Sequence, residues 1–183
     1  MAIFGSSATE PGTLRWVEAE KTGARCAGAG LGVITGGYGG TMEAASKGAA
    51  MAGGRVIGVT APFLFDDRSG ANRHVTEVIE ARTLTERIGI LTDLAQGAIV
   101  LPGSIGTVAE LVISWNMNHI VRLSGGERMP TVAVGPEWRD MFEFLTQRVG
   151  AHPTDIHIVN SADDAVDWIL DQPEIRGIRR DPL

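Results

Sequence analysis

Apolar and polar positions along the chain follow two alternating rhythms. Short apolar runs fall at residues 2–5, 31–35 (LGVIT), 55–60 (RVIGVT), 75–79, 98–101, 131–134 and 156–159. Longer stretches with helical spacing separate most of them, at 13–27, 41–52, 83–95, 106–122, 138–149 and 161–170. In the second of these, Met42, Ala45 and Ala49 share one face, and Gly53-Gly54 ends it. The runs are read as strands and the stretches as helices. Residues 63–73 (FLFDDRSGANR) read as a polar loop with aromatic residues, 123–130 (LSGGERMP) as a second loop, and the tail from about 172 as frayed.

Strands alternating with helices of this length predict βαβ units. The expected fold class is α/β: a Rossmann-like, doubly wound parallel sheet with helices on both faces, in a single nucleotide-binding domain spanning 1–183. In such sheets ligands sit beyond the carboxyl ends of the strands, at helix N-termini. That end gathers three turns rich in small residues. Gly5-Ser6-Ser7 follows the first strand. Gly36-Gly37-Tyr38-Gly39-Gly40-Thr41 follows the second. Pro102-Gly103-Ser104-Ile105-Gly106-Thr107 follows the run at 98–101. Small residues let backbone N–H groups approach an anion, and a helix N-terminus adds favourable partial charge. One such turn is ordinary α/β architecture. Three of them together point to a phosphate or nucleotide site.

Composition narrows the partners. The 183-residue chain is 44% hydrophobic, with a formal charge of −6 and no run of Lys or Arg, so a long nucleic acid is a poor electrostatic match. Cys26 is the lone cysteine, which leaves no internal disulfide and no cysteine-rich metal site. The start, MAIFGSSATEPG, lacks the pattern of a signal peptide, and no apolar run reaches the ~20 residues that span a bilayer. A cytoplasmic protein without membrane contact is expected.

Several chemistries are excluded by spacing. The turn at 36–41 has the setting of a dinucleotide fingerprint, but Met42 stands where the third glycine belongs and no acidic residue ends the next strand. No Gly-Lys-Ser/Thr occurs for a phosphate-binding P-loop, and no Gly-x-Ser-x-Gly for a serine nucleophile. His74, His119, His152 and His157 lie on separate elements, so no metal site is expected. Thr107 and Glu110 have capping-box spacing, which makes Glu110 a candidate helix cap. Thr83 and Glu86 repeat the pattern, and place Arg87 in a first helical turn. A cation there opposes the helix dipole, a local conflict of the kind that marks functional positions.

Taken together, these residues resemble the LOG ("lonely guy") family, whose bacterial members often carry the label lysine decarboxylase. The family pattern Pro-Gly-Gly-x-Gly-Thr-x-x-Glu is matched by Pro102-Gly103-Ser104-Ile105-Gly106-Thr107-Val108-Ala109-Glu110. The pattern Met-x-x-Arg-Lys is matched by Leu84-Thr85-Glu86-Arg87-Ile88. FGSS at the start, GGYGGTMEAASKGA and Trp115 extend the resemblance over about 3–160. Ser104 and Ile88 depart from it. The first replaces a glycine that a turn with positive φ would need; the second removes a cation beside Arg87.

The resemblance implies a homodimer that hydrolyses a nucleoside 5′-monophosphate, a cytokinin ribotide or AMP, to free base and ribose 5-phosphate without a cofactor. Arg87 and Glu110 would be the catalytic pair, and Gly103, Gly106 and Thr107 would hold the phosphate. The loop 63–73 and the helix around Trp115 are expected to wall the base. The alternative is a non-catalytic binding protein resembling the molybdenum-cofactor carriers. Lysine decarboxylation is excluded on different grounds. It needs a Schiff-base lysine, and the only lysines, Lys21 and Lys47, lie within helices away from the strand ends.

Overall fold

A computed structural model describes residues 1–64 and 70–180, and the side chains of these up to residue 177. Seven strands, β1 (Ala2–Phe4), β2 (Val33–Thr35), β3 (Val56–Thr60), β4 (Glu77–Glu80), β5 (Ala98–Val100), β6 (Thr131–Val134) and β7 (His157–Val159), form one sheet in the order β4-β3-β2-β1-β5-β6-β7. Every pairing is parallel. The chain builds outward from β1 to β4, returns to pair β5 with β1, and builds outward the other way. The β1/β5 boundary is therefore the topological switch point, where open α/β sheets bind ligands.

The helices are α1 (Leu14–Gly28), α2 (Thr41–Met51), α3 (Leu84–Asp93), α4 (Ile105–Ser124), α5 (Glu137–Phe144), α6 (Ala162–Leu170) and α7 (Pro173–Arg180). They form because apolar positions at helical spacing meet capping residues: Thr13, Thr83 and Ser161 each accept a bond from a first-turn amide. Strand residues alternate between two cores. Ile3, Val33, Val56, Ile99 and Val132 pack beneath α1, α2 and α6. Ala2, Phe4, Ile34, Val59, Val100 and Ala133 pack beneath α3, α4 and α5. The expected doubly wound architecture is the observed one.

Three local readings need correction. The tail from 172 is not frayed throughout: Ile175 is fully buried in the first core and anchors α7 there. The helix expected at 138–149 is α-helical only to Phe144, and Leu145–Val149 continues it as a π-helical turn. The loop read at 63–73 begins with a short 3-10 turn, Pro62–Leu64, and its central part lies outside the described residues.

Candidate active site

The turn that leads into α4 is built differently from its expected form. Thr107 is not the cap. Ser104 takes that place in extended conformation, φ −104° and ψ −169°, and its carbonyl accepts the first helical bond from the Val108 amide at 3.0 Å. The helix therefore starts earlier, and Thr107 and Glu110 lie within it. Glu110 is thus released from the capping role that its spacing suggested. Ser104 is unstrained as well, because no residue other than glycine has positive φ among the described residues.

Gly103, Ser104, Ile105 and Gly106 are exposed, and the Ser104 side chain caps none of the first-turn amides. A helix N-terminus left open in this way presents N–H donors and positive partial charge. Thr107 closes the back of the turn. Its hydroxyl is buried and has no hydrogen-bond partner among the described residues, an arrangement that costs free energy unless a ligand supplies one. A Cβ on Gly103 would stand 2.1 Å from that oxygen, so the hydroxyl faces the turn. By contrast, a Cβ on Gly106 would meet nothing within 4 Å. The protein itself does not require glycine at 106.

Arg87, from the first turn of α3, is buried at 6% exposure. Its Nε donates to the Val59 carbonyl at 2.8 Å, and its Nη2 to the Gly36 carbonyl at 2.9 Å. These carbonyls end β3 and begin the turn after β2. They neutralise the misfit of a cation at a helix start and aim the guanidinium across the sheet. Its Nη1 lies 3.9 Å from Oε1 of Glu110, on the second turn of α4. The Glu110 carboxylate is itself buried and accepts no hydrogen bond among the described residues. Burial pushes its pKa from 4.5 to about 7, against the opposing pull of Arg87. A carboxyl so placed exchanges a proton near neutrality, as a general base or acid must.

The other predicted turns divide between lining and support. Gly36, Gly37 and Tyr38 are buried. The Gly37 amide donates to Thr35 Oγ1 at 3.1 Å, and the Gly37 carbonyl accepts from the Asn72 amide at 2.7 Å. The Thr41 amide donates to the Ser6 carbonyl at 2.9 Å, and the Thr41 and Thr9 hydroxyls pair at 2.9 Å. The Ser6 hydroxyl accepts from the Ala8 amide. These groups brace one turn against the other. Gly5 and Gly39 stay half-exposed, Gly40 is buried as the N-cap of α2, and Ser7 is exposed. Pro102 is half-buried at the exit of β5. Neither Gly40 nor Ser104 gives its helix a side-chain cap, and the turn at 36–41 also holds Arg87 through the Gly36 carbonyl.

Sequence reading missed the carbonyl of Val59, the amide side chain of Asn72 and the ring of Tyr38. The last carried a signal: it is the chain's one tyrosine, set between two glycine pairs. Trp115, expected to wall a base, is instead core. It stacks on Phe142 at 5.2 Å and donates from Nε1 to the His152 carbonyl at 3.2 Å. A cavity of about 450 Å³ opens at the opposite, amino-terminal ends of the strands, lined by Leu31, Gly32, Gly54, Arg55 and Gln96 among others, and does not include Arg87 or Glu110.

Comparison with known proteins bears on the family and the fold. The sequence pattern of the SLOG cluster4 family matches residues 1–159. A protein of Mycobacterium tuberculosis (strain ATCC 25618 / H37Rv) named cytokinin riboside 5′-monophosphate phosphoribohydrolase is 34% identical over 119 residues, 64% of this chain and 61% of that one. A protein of the same name from Mycobacterium marinum (strain ATCC BAA-535 / M) is 33% identical over 85 residues, 46% of this chain and 45% of that one. The matched part thus spans less than two thirds of either relative. Among solved structures, the molybdenum cofactor binding protein of the phototrophic bacterium Rippkaea orientalis superposes with a TM-score of 0.72 at 20% identity over 92% of both chains. The molybdenum cofactor carrier protein of Chlamydomonas reinhardtii gives 0.64 at 24% identity, over 93% of this chain and 98% of that one. At such identities these two structures bear on the fold alone.

Proposed function

The chain belongs to the SLOG cluster4 family, and from that premise we propose that it hydrolyses the N-glycosidic bond of a nucleoside 5′-monophosphate, releasing the base and ribose 5-phosphate. The observation that carries this reading is the buried Arg87–Glu110 pair, at 3.9 Å, whose glutamate lies on the helix that an open anion-binding turn begins. The names of the mycobacterial relatives point to the same reaction class and suggest cytokinin ribotides, with AMP as the simplest probe.

In this reading the phosphate sits on the turn Pro102 to Thr107. The free amides of α4 and the Thr107 hydroxyl hold it, and Gly106 leaves room for close approach. Gly5 and Ser7 border it from the switch point. Binding there is remote from the bond that breaks, so its energy serves to position the ribose. Glu110, one turn further into the helix, faces the anomeric carbon. As the C–N bond lengthens, positive charge grows on the ribose ring, and a carboxylate stabilises it. Glu110 takes a proton from the attacking water as the hydroxyl joins the anomeric carbon. A proton returns to the departing base, so atoms and charge balance. Arg87 keeps Glu110 ionised more often than burial alone would allow.

The reading extends to a homodimer. Val112, Ile120 and Leu123 stay exposed on α4, the helix that carries Glu110. The direct test of function is incubation with AMP and isopentenyladenosine monophosphate, with free base followed by chromatography. Release that vanishes in Glu110→Gln, with folding retained, supports hydrolysis. Tight binding of either nucleotide without release overturns it in favour of a carrier.

A further inference from the structure

Resting on the proposed hydrolysis, we infer that Glu43 reads the sugar. Its carboxylate accepts the 2′- and 3′-hydroxyls of the substrate's ribose, which makes ribonucleotides the substrate class and leaves the phosphate to α4 rather than α2. Sheets of this kind usually read ribose with an acidic residue at a strand end, and β3, which follows the turn at 36–41, ends without one. Glu43 stands instead in the first turn of α2. It is half-buried and makes no hydrogen bond and no ion pair among the described residues. Two ordinary roles for a glutamate there are both unfilled. As the third residue of the helix it could reach back to the Gly40 amide, but that bond is absent. A cation four residues on could pair with it along the helix, but Lys47 is held by Glu20 of α1 at 2.9 Å.

The fold brings this carboxylate to the ligand. The Thr41 amide donates to the Ser6 carbonyl at 2.9 Å, and a Cβ on Gly40 would stand 2.4 Å from the same oxygen. The start of α2 is therefore seated on the turn after β1. That strand pairs with β5, whose turn opens α4. Paired strands lie about 4.8 Å apart, so the first turns of α2 and α4 flank one narrow strip of the carboxyl edge. Met42, the residue before Glu43, sets its sulfur 3.8 Å from Arg87 Nη2, and Nη1 of the same guanidinium faces Glu110. Consecutive helical residues point about 100° apart, so Glu43 turns aside from Arg87. It stands beside half-exposed Gly39, where an added Cβ would lie 3.9 Å from its Oε2. The turn before it is firmly held. Asn72 donates from Nδ2 to the carbonyls of Gly37 at 3.1 Å and Tyr38 at 3.0 Å, and the Tyr38 hydroxyl accepts the Ala61 amide at 2.8 Å.

Charge then decides which group goes where. Both α2 and α4 start without a side-chain cap, so either end could attract a phosphate. At α2 the Glu43 carboxylate supplies the negative charge itself and repels a second anion. At α4 the first turn holds no acidic residue, and the buried Thr107 hydroxyl lacks a partner among the described residues. With the phosphate on α4 and the anomeric carbon before Glu110, the diol is the part of the sugar left to face α2. An ionised carboxylate offers two acceptor oxygens and a vicinal diol two O–H donors, so the groups match in number and kind.

The test compares ribose 5-phosphate with 2-deoxyribose 5-phosphate, which differ by one hydroxyl and need no turnover. Binding of each to the full-length chain is measured by titration calorimetry, with Glu43→Ala and Glu43→Gln checked for folding by circular dichroism and a cooperative melt. The unaltered protein is expected to bind ribose 5-phosphate about tenfold more tightly, as a hydrogen bond to a charged group allows. Glu43→Ala should lose that preference by weakening ribose 5-phosphate alone, and Glu43→Gln should keep only part of it. Inorganic phosphate should bind Glu43→Ala at least as tightly as the unaltered chain. A glutamate that only supports the fold would weaken both sugar phosphates equally, and that result overturns the proposal. So does a preference that survives in Glu43→Ala, or an unaltered protein that binds the two alike or binds neither. If the preference depends on Glu43 but AMP releases no base, the proposed hydrolysis fails while the assignment of Glu43 to the ribose stands.

Discussion

Glu110 concentrates the chemistry of the site in one titrating group. Its pKa rises from 4.5 when free to about 7 when folded, because burial disfavours the charged form. Between these values the folded chain binds more protons than the unfolded one, so stability falls as pH rises through that window. Below about 4.5 the carboxyl is neutral in both states and costs nothing by this route; above about 7 the cost is complete. A shift of this size corresponds to roughly 3 kcal/mol. Glu110→Gln should therefore stabilise the protein at pH 8, and the gain should shrink toward pH 5. Denaturant melts at the two pH values measure this, and an equal gain at both contradicts it. For the proposed hydrolysis, the same titration predicts an acid limb. If the carboxylate is the working form, kcat rises with pH through about 7 and levels off above it. Ligand-free melts keep that limb apart from the substrate phosphate, whose second pKa is about 6. Arg87 acts in the opposite sense. Arg87→Lys loses the fork that reaches Val59 and Gly36 together, and should lower kcat by about a hundredfold while moving the acid limb upward.

At the scale of elements, two turns with similar composition do different work, and glycine substitutions tell them apart. A Cβ on Gly36 would lie 1.8 Å from Arg87 Nη2, so Gly36→Ala must expel the guanidinium from its seat. It should cost stability and activity together. Gly106→Ala meets open space at the start of α4, where alanine suits a helix better than glycine by up to ~1 kcal/mol. It should leave the melting temperature equal or higher while raising KM for AMP, because the added methyl occupies the approach of the phosphate. A parallel loss of stability would assign glycine 106 to the fold instead. This division could not be read from the chain. Alternation of apolar runs and helical stretches was enough to specify the parallel sheet and the end at which its turns gather. Arg87 and Glu110 were legible as a dipole conflict and a motif residue. The spacing of Thr107 and Glu110 misled, because a capping box is a statement about where a helix begins. Ser104 took the extended cap conformation three residues earlier and drew Glu110 into the helix interior. The carbonyl of Val59 and the side chain of Asn72 left no trace, since their roles depend on which strand ends the sheet brings together.

At the scale of the whole molecule, the switch point explains why residues so far apart in sequence share one site. β1 and β5 pair side by side, so the turns after them, at 5–7 and 102–107, open at the same edge. Arg87 reaches this edge from α3 across β2 and β3, and Glu110 from α4. No helix of the described residues is long and apolar enough to cross a membrane. The apolar surface that remains on α4 therefore calls for another explanation. Leu111 and Trp115 turn inward to the second core, but Ile120 and Leu123 stand 56% and 70% exposed, with Phe144 and Val149 also exposed on the segment that packs near this helix. A second copy placed against this face would bury it by two-fold symmetry, as homodimers commonly do. It would also brace the helix that positions Glu110. Ile120→Glu combined with Leu123→Glu should then give a monomer in sedimentation equilibrium at micromolar concentration, where the unaltered chain is expected to sediment as a dimer. If bracing of α4 matters to the site, the monomer should also lose kcat without losing its fold. A monomer with full activity would separate assembly from hydrolysis and leave the exposed face without a catalytic role.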